Sequence, residues 1–533
     1  MSRSIGRNTA VAALGTGLSR ATGFLRLAAM AFAIGVAENR LADTYSLANS
    51  TTNIIFELIL GGVLSSVLIR VYIEVRDRDG AEAGWAFISK VTNLSLIVLT
   101  AIALIGIFLA PLILKAYTWG SHSSDIELQR RVGTFLLRLF MPQIVFYAFA
   151  QISGAVLQAH RRFGMSAIAP VLNNLTVAGV FVAFALTIPV YLRSLERVST
   201  SGLVLLGLGT TLGVALFSIV PFVYMRAVGW RWSASLGFAD PDIRRLARLS
   251  GYLLGYVVIN QIGLWVALLL AYRIQGGVAG YQTAFVFFQL PHGLLAVSIA
   301  AVMFTEMADK AVTNDMPGFT EHMNRALRAV AFVILPSIAG YLAIAPQVIG
   351  LLLEHGIAGS TSTALVSTVL LAWAPGILFF SMFYVVLRGF YALGDTKTPM
   401  LINAAALIVN VTVNVTLFQF LTTPNAKIAG LAVGHGASYL IASVIGLAII
   451  RRRTGKLLLI GMPRTMVVTG LASAATWSAA LFVVSLNWPQ NLSGQILQVT
   501  VSALGGLLVF LVAARFFQSE ELQWIRRSAT RRI

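Results

Sequence analysis

The sequence predicts an all-α polytopic membrane protein with about fourteen transmembrane helices. Three observations lead there. Of 533 residues, 57% are hydrophobic and only 11% charged, against about 25% charged in an ordinary soluble domain. Apolar runs of about 20 residues, each able to cross a hydrocarbon core of about 30 Å, recur from end to end. The basic residues gather in alternate loops, as the positive-inside rule requires.

The first six spans are placed near 9–35, 43–72, 88–116, 132–159, 165–190 and 202–226. The next six follow near 246–273, 278–306, 325–353, 363–392, 398–421 and 428–450, and the last two near 464–486 and 493–516. One set of loops carries Arg3 and Arg7, Arg76 and Arg78, Arg161 and Arg162, Arg231 with Arg244 and Arg245, Lys310, Lys397, Arg451 to Arg453 with Lys456, and Arg526 to Arg532. In the alternate set, His355 to Thr363 and Asn487 to Asn491 hold no Lys or Arg. An even helix count with both termini cytoplasmic follows. Arg130 and Arg131 are the exception, in a loop assigned to the far side.

The net charge of +19 is therefore a signature of topology, and no nucleic-acid partner is expected. There is no cysteine, so disulfides, thiol catalysis and cysteine metal sites are excluded. The first apolar segment is not an ordinary signal peptide, because arginines interrupt it. Short loops leave no room for a soluble catalytic domain. No G-x-x-x-x-G-K-[ST] or H-E-x-x-H motif is present, so neither an ATP-driven pump nor a zinc hydrolase is expected. The expectation is a protein that is not an enzyme, with no cofactor and no metal.

A weak internal repeat links Gln158 to Phe163, which leads into a helix with Asn173 and Asn174, to Leu393 to Thr398, which leads into one with Asn410 and Asn414. Duplicated halves are common in transporters; coincidence of short turns is the other reading.

Ionisable residues inside a membrane are functional candidates, because an unpaired charge there costs several kcal/mol. Arg20 and Arg26 stand in the first span. Six residues apart, they lie about 240° around the axis and about 9 Å along it, so both can line one broad cavity. In the second span, Asp43 either pairs with an arginine of span one or sits in the interface. Glu57 either balances Arg20 or Arg26, or carries a coupling proton. Asn53 lies on the same helix, and Gly61 and Gly62 permit close backbone approach. Arg138 and Arg273 lie near span ends, where snorkelling competes with a functional role. Span seven also holds Asn260 and Gln261; span eight holds Gln282, Gln289 and His292. Around Pro291 the helix is either broken, exposing carbonyls to a cavity, or simply kinked. His292 is either a proton relay or a hydrogen-bonded helix histidine.

Several stretches resemble the MurJ/MviN lipid II flippases. Ser19-Arg20-x-x-Gly23-Phe24-x-Arg26 is similar to that family's first-helix signature, and Ala42-Asp43-Thr44-Tyr45 through Asn53 and Gly62 to its second helix. Leu290 to Val297 resembles its eighth-helix P-x-G-[VL]-L-x-V run, and Arg388 to Pro399 its turn before helix eleven. Glu57 to Gly62, in the form E-L-x-L-G-G, looks like an actinobacterial branch.

The resemblance implies two six-helix lobes forming a V, residues 1–230 and 240–455, around a central cationic cavity. Residues 460–516 would form two further helices with a lipid-tail groove, and 517–533 a basic cytoplasmic tail. It implies alternating access, driven by membrane potential or a cation gradient, that moves an undecaprenyl-diphosphate-linked peptidoglycan precursor between leaflets of the bacterial cytoplasmic membrane. Membrane lipids and cell-wall synthesis or division proteins would be its other partners. Arg20 and Arg26 would hold the diphosphate, with Ser19, Asp43, Asn53, Glu57, Arg138 and Gln289 completing the substrate-binding candidates. The chain departs from the family at Phe56 and Val286, where arginines are common, and at Gln289, where a carboxylate is. The family's sodium site uses carboxylates; here only Asn260, Asn410 and Asn414 stand nearby, and no cation is assigned. The alternatives are a multidrug or other polysaccharide-precursor exporter on the same scaffold, and a non-transporting scaffold for wall synthesis.

Overall fold

The computed structural model describes residues 2–60, 66–121, 123–237, 240–455 and 459–523. Helices make up nearly all of it, and no strand occurs among the described residues. In chain order they are α1 (Ser2–Ile34), α2 (Arg40–Leu60), α3 (Ser66–Asp79), α4 (Ala81–Tyr117), α5 (Ile126–Phe140) and α6 (Gln143–Ala159). Then come α7 (Phe163–Thr187), α8 (Thr200–Tyr224), α9 (Pro241–Ala271), α10 (Gly277–Pro291), α11 (Val297–Val312) and α12 (Met316–Leu353). The last are α13 (Ser360–Ala392), α14 (Lys397–Phe420), α15 (Pro424–Thr454), α16 (Met462–Ser485) and α17 (Leu492–Phe516).

Twelve stretches among the described residues are long and apolar enough to cross a membrane, beginning with Ala81–Tyr117 and ending with Leu492–Phe516. They coincide with the third to fourteenth expected spans, α5 with α6 and α10 with α11 each forming one. The two expected spans before them are α1 and α2–α3, the segments that carry Arg20, Arg26 and Glu57. Large apolar side chains face outward, as Phe108 (78% exposed) and Leu508 (63%) do, which suits lipid as the surrounding solvent.

The helix starts are written in the sequence. Asp240 accepts from the N–H groups of Asp242 and Ile243 with Pro241 in the first turn of α9, and Thr423 does the same for α15 with Pro424. Each supplies an acceptor for N–H groups the helix cannot satisfy, where proline has no N–H to lose.

Contacts divide the chain into two units: 1–279 with 355–359, and 280–354 with 360–533. In the first unit α1 packs on α7. Gly15 lets them approach so closely that a Cβ there would lie 2.6 Å from Ala167 Cβ, and Asn174 Nδ2 donates to the Ser19 carbonyl at 3.0 Å. The segment 355–359 belongs here: Ile357 and Ala358 donate to the carbonyls of Phe32 and Ala31, and Gly359 to Glu38 Oε1. In the second unit α13 and α15 meet backbone to backbone, Gly376 against Gly436. Helices α12, α16 and α17 share a core of Phe332, Ala472, Phe510 and Ala514.

The grouping places α9 with the N-terminal helices. Arg78 to Asp242 at 2.8 Å, Arg245 to Glu74 at 2.8 Å and Lys90 to Asp240 at 2.7 Å tie the start of α9 to α3 and α4. Bonds also join loops of one charge class to each other. The basic segments 74–79 and 240–245 meet, as do Asp395 and Arg453. The sparse segments meet likewise: Asn39 bonds the Arg193 carbonyl and Arg273 that of Trp119. Arg130, the exception in the charge pattern, is balanced on the spot by Glu127 at 2.5 Å.

Candidate substrate site in the first unit

Two helices carry most of the candidates. On α1, Ser19, Arg20 and Arg26 are all half-buried. The Ser19 carbonyl is held by Asn174, which fixes α1 against α7 at this level. No ion pair or hydrogen bond among the described residues engages the guanidinium of Arg20 or Arg26, and neither charge is cancelled locally. Arg26 lies close enough to the hydroxyls of Tyr45 and Tyr147 for its charge to act on both, and the Glu57 carboxylate acts on Tyr147 as well. The charges of Arg26 on α1 and Glu57 on α2 are thus both felt at Tyr147 on α6. Glu57 is half-buried and forms no salt bridge within 4.0 Å among the described residues, so the contact ion pair foreseen for it is not made. Asn53, one turn earlier, is exposed.

A polar relay backs this cluster. Tyr147 bonds Gln143 Oε1 at 3.4 Å, Gln143 Nε2 donates to Thr211 at 3.1 Å, and Thr211 donates to the Leu139 carbonyl at 2.8 Å. Tyr45 shares a 2.6 Å bond with Thr210 and stacks edge-on against Phe140 and Phe181. Phe56 fills the space beside Tyr147, ring centroids 5.3 Å apart. Satisfied buried polar groups of this kind hold their neighbours in one geometry. Sequence reasoning missed Tyr45 and Tyr147. Tyr45 stands two residues after Asp43 in a quoted motif, but nothing in its neighbourhood distinguishes it from a packing tyrosine.

Two candidates turn out to be structural. Asp43 is fully buried, and its oxygens accept from the N–H groups of Gly276 (2.6 Å), Val278 (3.0 Å) and Ala279 (3.0 Å), with Arg40 at 3.7 Å. It is neither paired with span one nor idle in the interface. It supplies the acceptors missing at the start of α10, so a substrate contact is corrected to a helix cap delivered from another helix. Arg138 is exposed, and its Nε donates to the Ile107 carbonyl at 3.2 Å. Ile107 is four residues before Pro111, and a proline inside a helix leaves that carbonyl without a donor. Arg138 thus supplies a donor to that carbonyl.

The second unit repeats that device. Tyr341 Oη donates at 2.6 Å to the carbonyl of Phe287, four residues before Pro291. The helix then continues through a π turn at His292–Ala296 into α11, so it is not broken there. His292 Nδ1 bonds Ser381 at 3.0 Å and its ring lies against Phe380 and Tyr384, which is the hydrogen-bonded role. Gln289 is half-buried on α10 in this unit. Asn260 bonds its own helix at Tyr256. The amides of the weak repeat differ in use, since Asn414 bonds Asn410 at 3.1 Å while Asn174 bonds α1. Gly61 and Gly62 lie outside the described residues.

Among the described residues no group of three His, Asp or Glu is placed to hold a metal. Asn414 Nδ2 donates to Asn410 Oδ1 on α14, Asn414 Oδ1 is buried without a hydrogen-bond partner among the described residues, and α14 and α15 carry no carboxylate. That neutral donor set does not fit a sodium site of the carboxylate kind.

Comparison with known proteins adds the family. A solved structure described as "Lipid II flippase MurJ, inward closed conformation" superposes with a TM-score of 0.74 at 20% identity, covering 95% of this chain and 98% of that one. A multidrug resistance MATE family transporter of the MOP superfamily, in an inward-facing conformation, gives 0.65 at 16% identity, covering 81% and 94%. Among curated proteins, "Probable lipid II flippase MurJ" of Rhizobium meliloti (strain 1021) is 24% identical over 96% of this chain and 94% of its own. The protein so described from Rickettsia prowazekii (strain Madrid E) is 25% identical over 74% of each. The family model "Lipid II flippase MurJ" matches residues 30–501, a stretch that starts just after Arg20 and Arg26. With nearly the whole helical array covered, the chain belongs to the MurJ lipid II flippase family, a group of multi-pass transporters rather than enzymes.

Proposed function

We infer that this protein flips the undecaprenyl-diphosphate-linked peptidoglycan precursor, lipid II, from the inner to the outer leaflet of the bacterial cytoplasmic membrane by alternating access. The carrying observation is the pair Arg20 and Arg26, two half-buried cations on α1 with no acid bonded to either. A diphosphate cannot cross hydrocarbon unescorted, because burying unpaired charge costs many kcal/mol. Guanidinium groups replace its hydration with charge-assisted, often bidentate hydrogen bonds. In this reading Arg26 holds the phosphate with Tyr45 and Tyr147 beside it, Arg20 and Ser19 line the same face of α1, and Asn53 and Glu57 present the opposite helix. Asp43 and Arg138 act at one remove, by fixing backbone.

The polyprenyl tail stays in lipid along α16 and α17, where Phe482 (66% exposed), Leu504 (62%) and Val512 (61%) offer an apolar surface. In this reading both termini face the cytoplasm, an orientation that the basic loops favour. Division or wall-synthesis proteins are the fitting protein partners.

The test is depletion of the protein followed by assay of precursor in each leaflet, with complementation by wild type and Arg26→Ala. Accumulation in the inner leaflet, rescued only by wild type, is expected. Normal externalisation after depletion sinks the proposal. The likeness to a multidrug transporter favours a second reading, cation-coupled drug export; such a protein would keep its activity when Arg20 and Arg26 are both neutralised.

A further inference from the structure

The second unit holds one intramembrane cation that the proposed mechanism does not use. Several cations of this unit near a helix end are balanced: Arg328 by Glu520 and Glu521, Lys310 by Asp315, Arg453 by Asp395. Arg388, on α13, is held by aromatic rings instead. It is half-buried and takes part in no ion pair among the described residues. Its guanidinium lies 5.0 Å from the ring centroid of Tyr384 and 5.6 Å from that of Phe304. One bond is made, from Nη2 to Tyr384 Oη at 2.5 Å. Nε is buried and has no partner at all.

Aromatic faces stabilise a cation but offer no acceptor to a fixed N–H. A buried guanidinium N–H without an acceptor is costly, and the planar fork suits a tetrahedral oxyanion that can take two parallel bonds. Depth narrows the ligand. Arg388 is four residues from the end of α13 at Ala392, which is about 6 Å along the axis and corresponds to the headgroup zone. That end leads into the turn at Asp395 and Lys397, one of the basic loops. The anion is therefore a phosphate at the cytoplasmic leaflet.

We propose that Arg388, set between Tyr384 and Phe304, is a second phosphate-binding position, where the diphosphate of a polyprenyl-linked substrate docks at the inner-leaflet surface. This rests on the lipid-diphosphate reading above. The Arg388-Gly389-Phe390-Tyr391 segment thereby gains a role in loading.

The test uses the full chain in phosphatidylcholine nanodiscs, titrated with undecaprenyl diphosphate. Wild type is compared with Arg388→Gln, Arg388→Lys and Arg26→Gln, and phosphatidylglycerol and inorganic diphosphate serve as competitors. Loss of hydrogen bonds to a charged group is worth about tenfold in affinity. Arg388→Gln should weaken binding by that factor, Arg388→Lys should recover part of it by keeping the charge, and neither competitor should displace the lipid at matched concentration. Wild-type affinity in Arg388→Gln, with Arg26→Gln impaired, overturns this proposal and leaves the flippase reading standing. Wild-type affinity in both overturns the two together. Displacement by phosphatidylglycerol assigns Arg388 to bulk lipid, and displacement by inorganic diphosphate assigns it to a soluble anion; either overturns the proposal. Should Arg388→Gln fail to fold, Arg388→Lys decides alone, since a lysine without the fork must still bind more weakly.

Discussion

Unpaired charge separates the working residues from the structural ones. Arg26 has no acid bonded to it, whereas Arg138 has a backbone carbonyl and Asp43 has three N–H groups. Arg26→Gln keeps a polar, unbranched stem and removes the charge. It should therefore abolish flipping in reconstituted vesicles while leaving thermal stability within about 0.5 kcal/mol of wild type, as thermal unfolding in detergent would report. Arg26→Lys should keep part of the activity. Arg138 offers a sharper test, because its role depends on Pro111. Arg138→Ala should destabilise the wild type by about 1 kcal/mol, the net worth of one hydrogen bond. In a Pro111→Ala background, where Ile107 regains a helical donor, the same change should cost almost nothing. A double-mutant cycle measures that difference directly; equal losses in both backgrounds would show that Arg138 acts in some other way.

Helix ends and helix breaks carry the next layer of information. Capping by Asp240 and Thr423 is local, and both were legible as Asp-Pro and Thr-Pro starts. Capping of α10 by Asp43 was not, since the two segments are more than two hundred residues apart in the chain and only folding brings them together. The same limit applies to Pro291: the sequence shows the proline, but Tyr341, which takes the freed carbonyl, lies on another helix. Asp43→Ala would strand three buried N–H groups, at roughly 1–3 kcal/mol for each unsatisfied group. Hydrogen exchange at Gly276 to Ala279 should then accelerate far more than exchange in α7. Unchanged protection there would refute the cap.

The turn before α14 adds a pH-dependent element. Burial pushes the Asp395 carboxyl up, but bonds from the Thr398 hydroxyl and N–H and the guanidinium of Arg453 outweigh it and hold the group below its ordinary value. A depressed carboxylate contributes stability that is present above its unfolded-state value and disappears as pH falls through the folded one. Stability should thus be flat from neutrality down to about pH 4 and fall below that. Asp395→Asn should lower the plateau and flatten the acid limb, as thermal denaturation across a pH series would show.

At the scale of the whole chain, the fold was largely legible because hydropathy and loop charge act in every span and need no knowledge of packing. The division into units was less so: α9 joins the first unit through ion pairs with α3 and α4, made by residues that look like ordinary loop charges. The cations of the proposed site stand out in the sequence, whereas its tyrosines do not. One consequence concerns α16 and α17, the last two helices among the described residues. They are bound to α12 by the Phe332–Phe510 core and by a clamp at one end. There Arg328 binds Glu520 and Glu521, and Thr465 donates to Glu521 at 2.7 Å. If these helices guide the prenyl tail, the clamp matters in proportion to tail length. Arg328→Ala leaves Glu521 without its cation and loosens the seat of α17 while touching neither Arg20 nor Arg26. Flipping of a substrate with the full undecaprenyl tail should fall several-fold in this variant, and that of a short-chain farnesyl analogue should change little. Both can be read in one vesicle preparation by the accessibility of the headgroup to an external probe. Equal losses for the two tails would place the clamp in general stability, and no loss for either would remove α16 and α17 from the transport path.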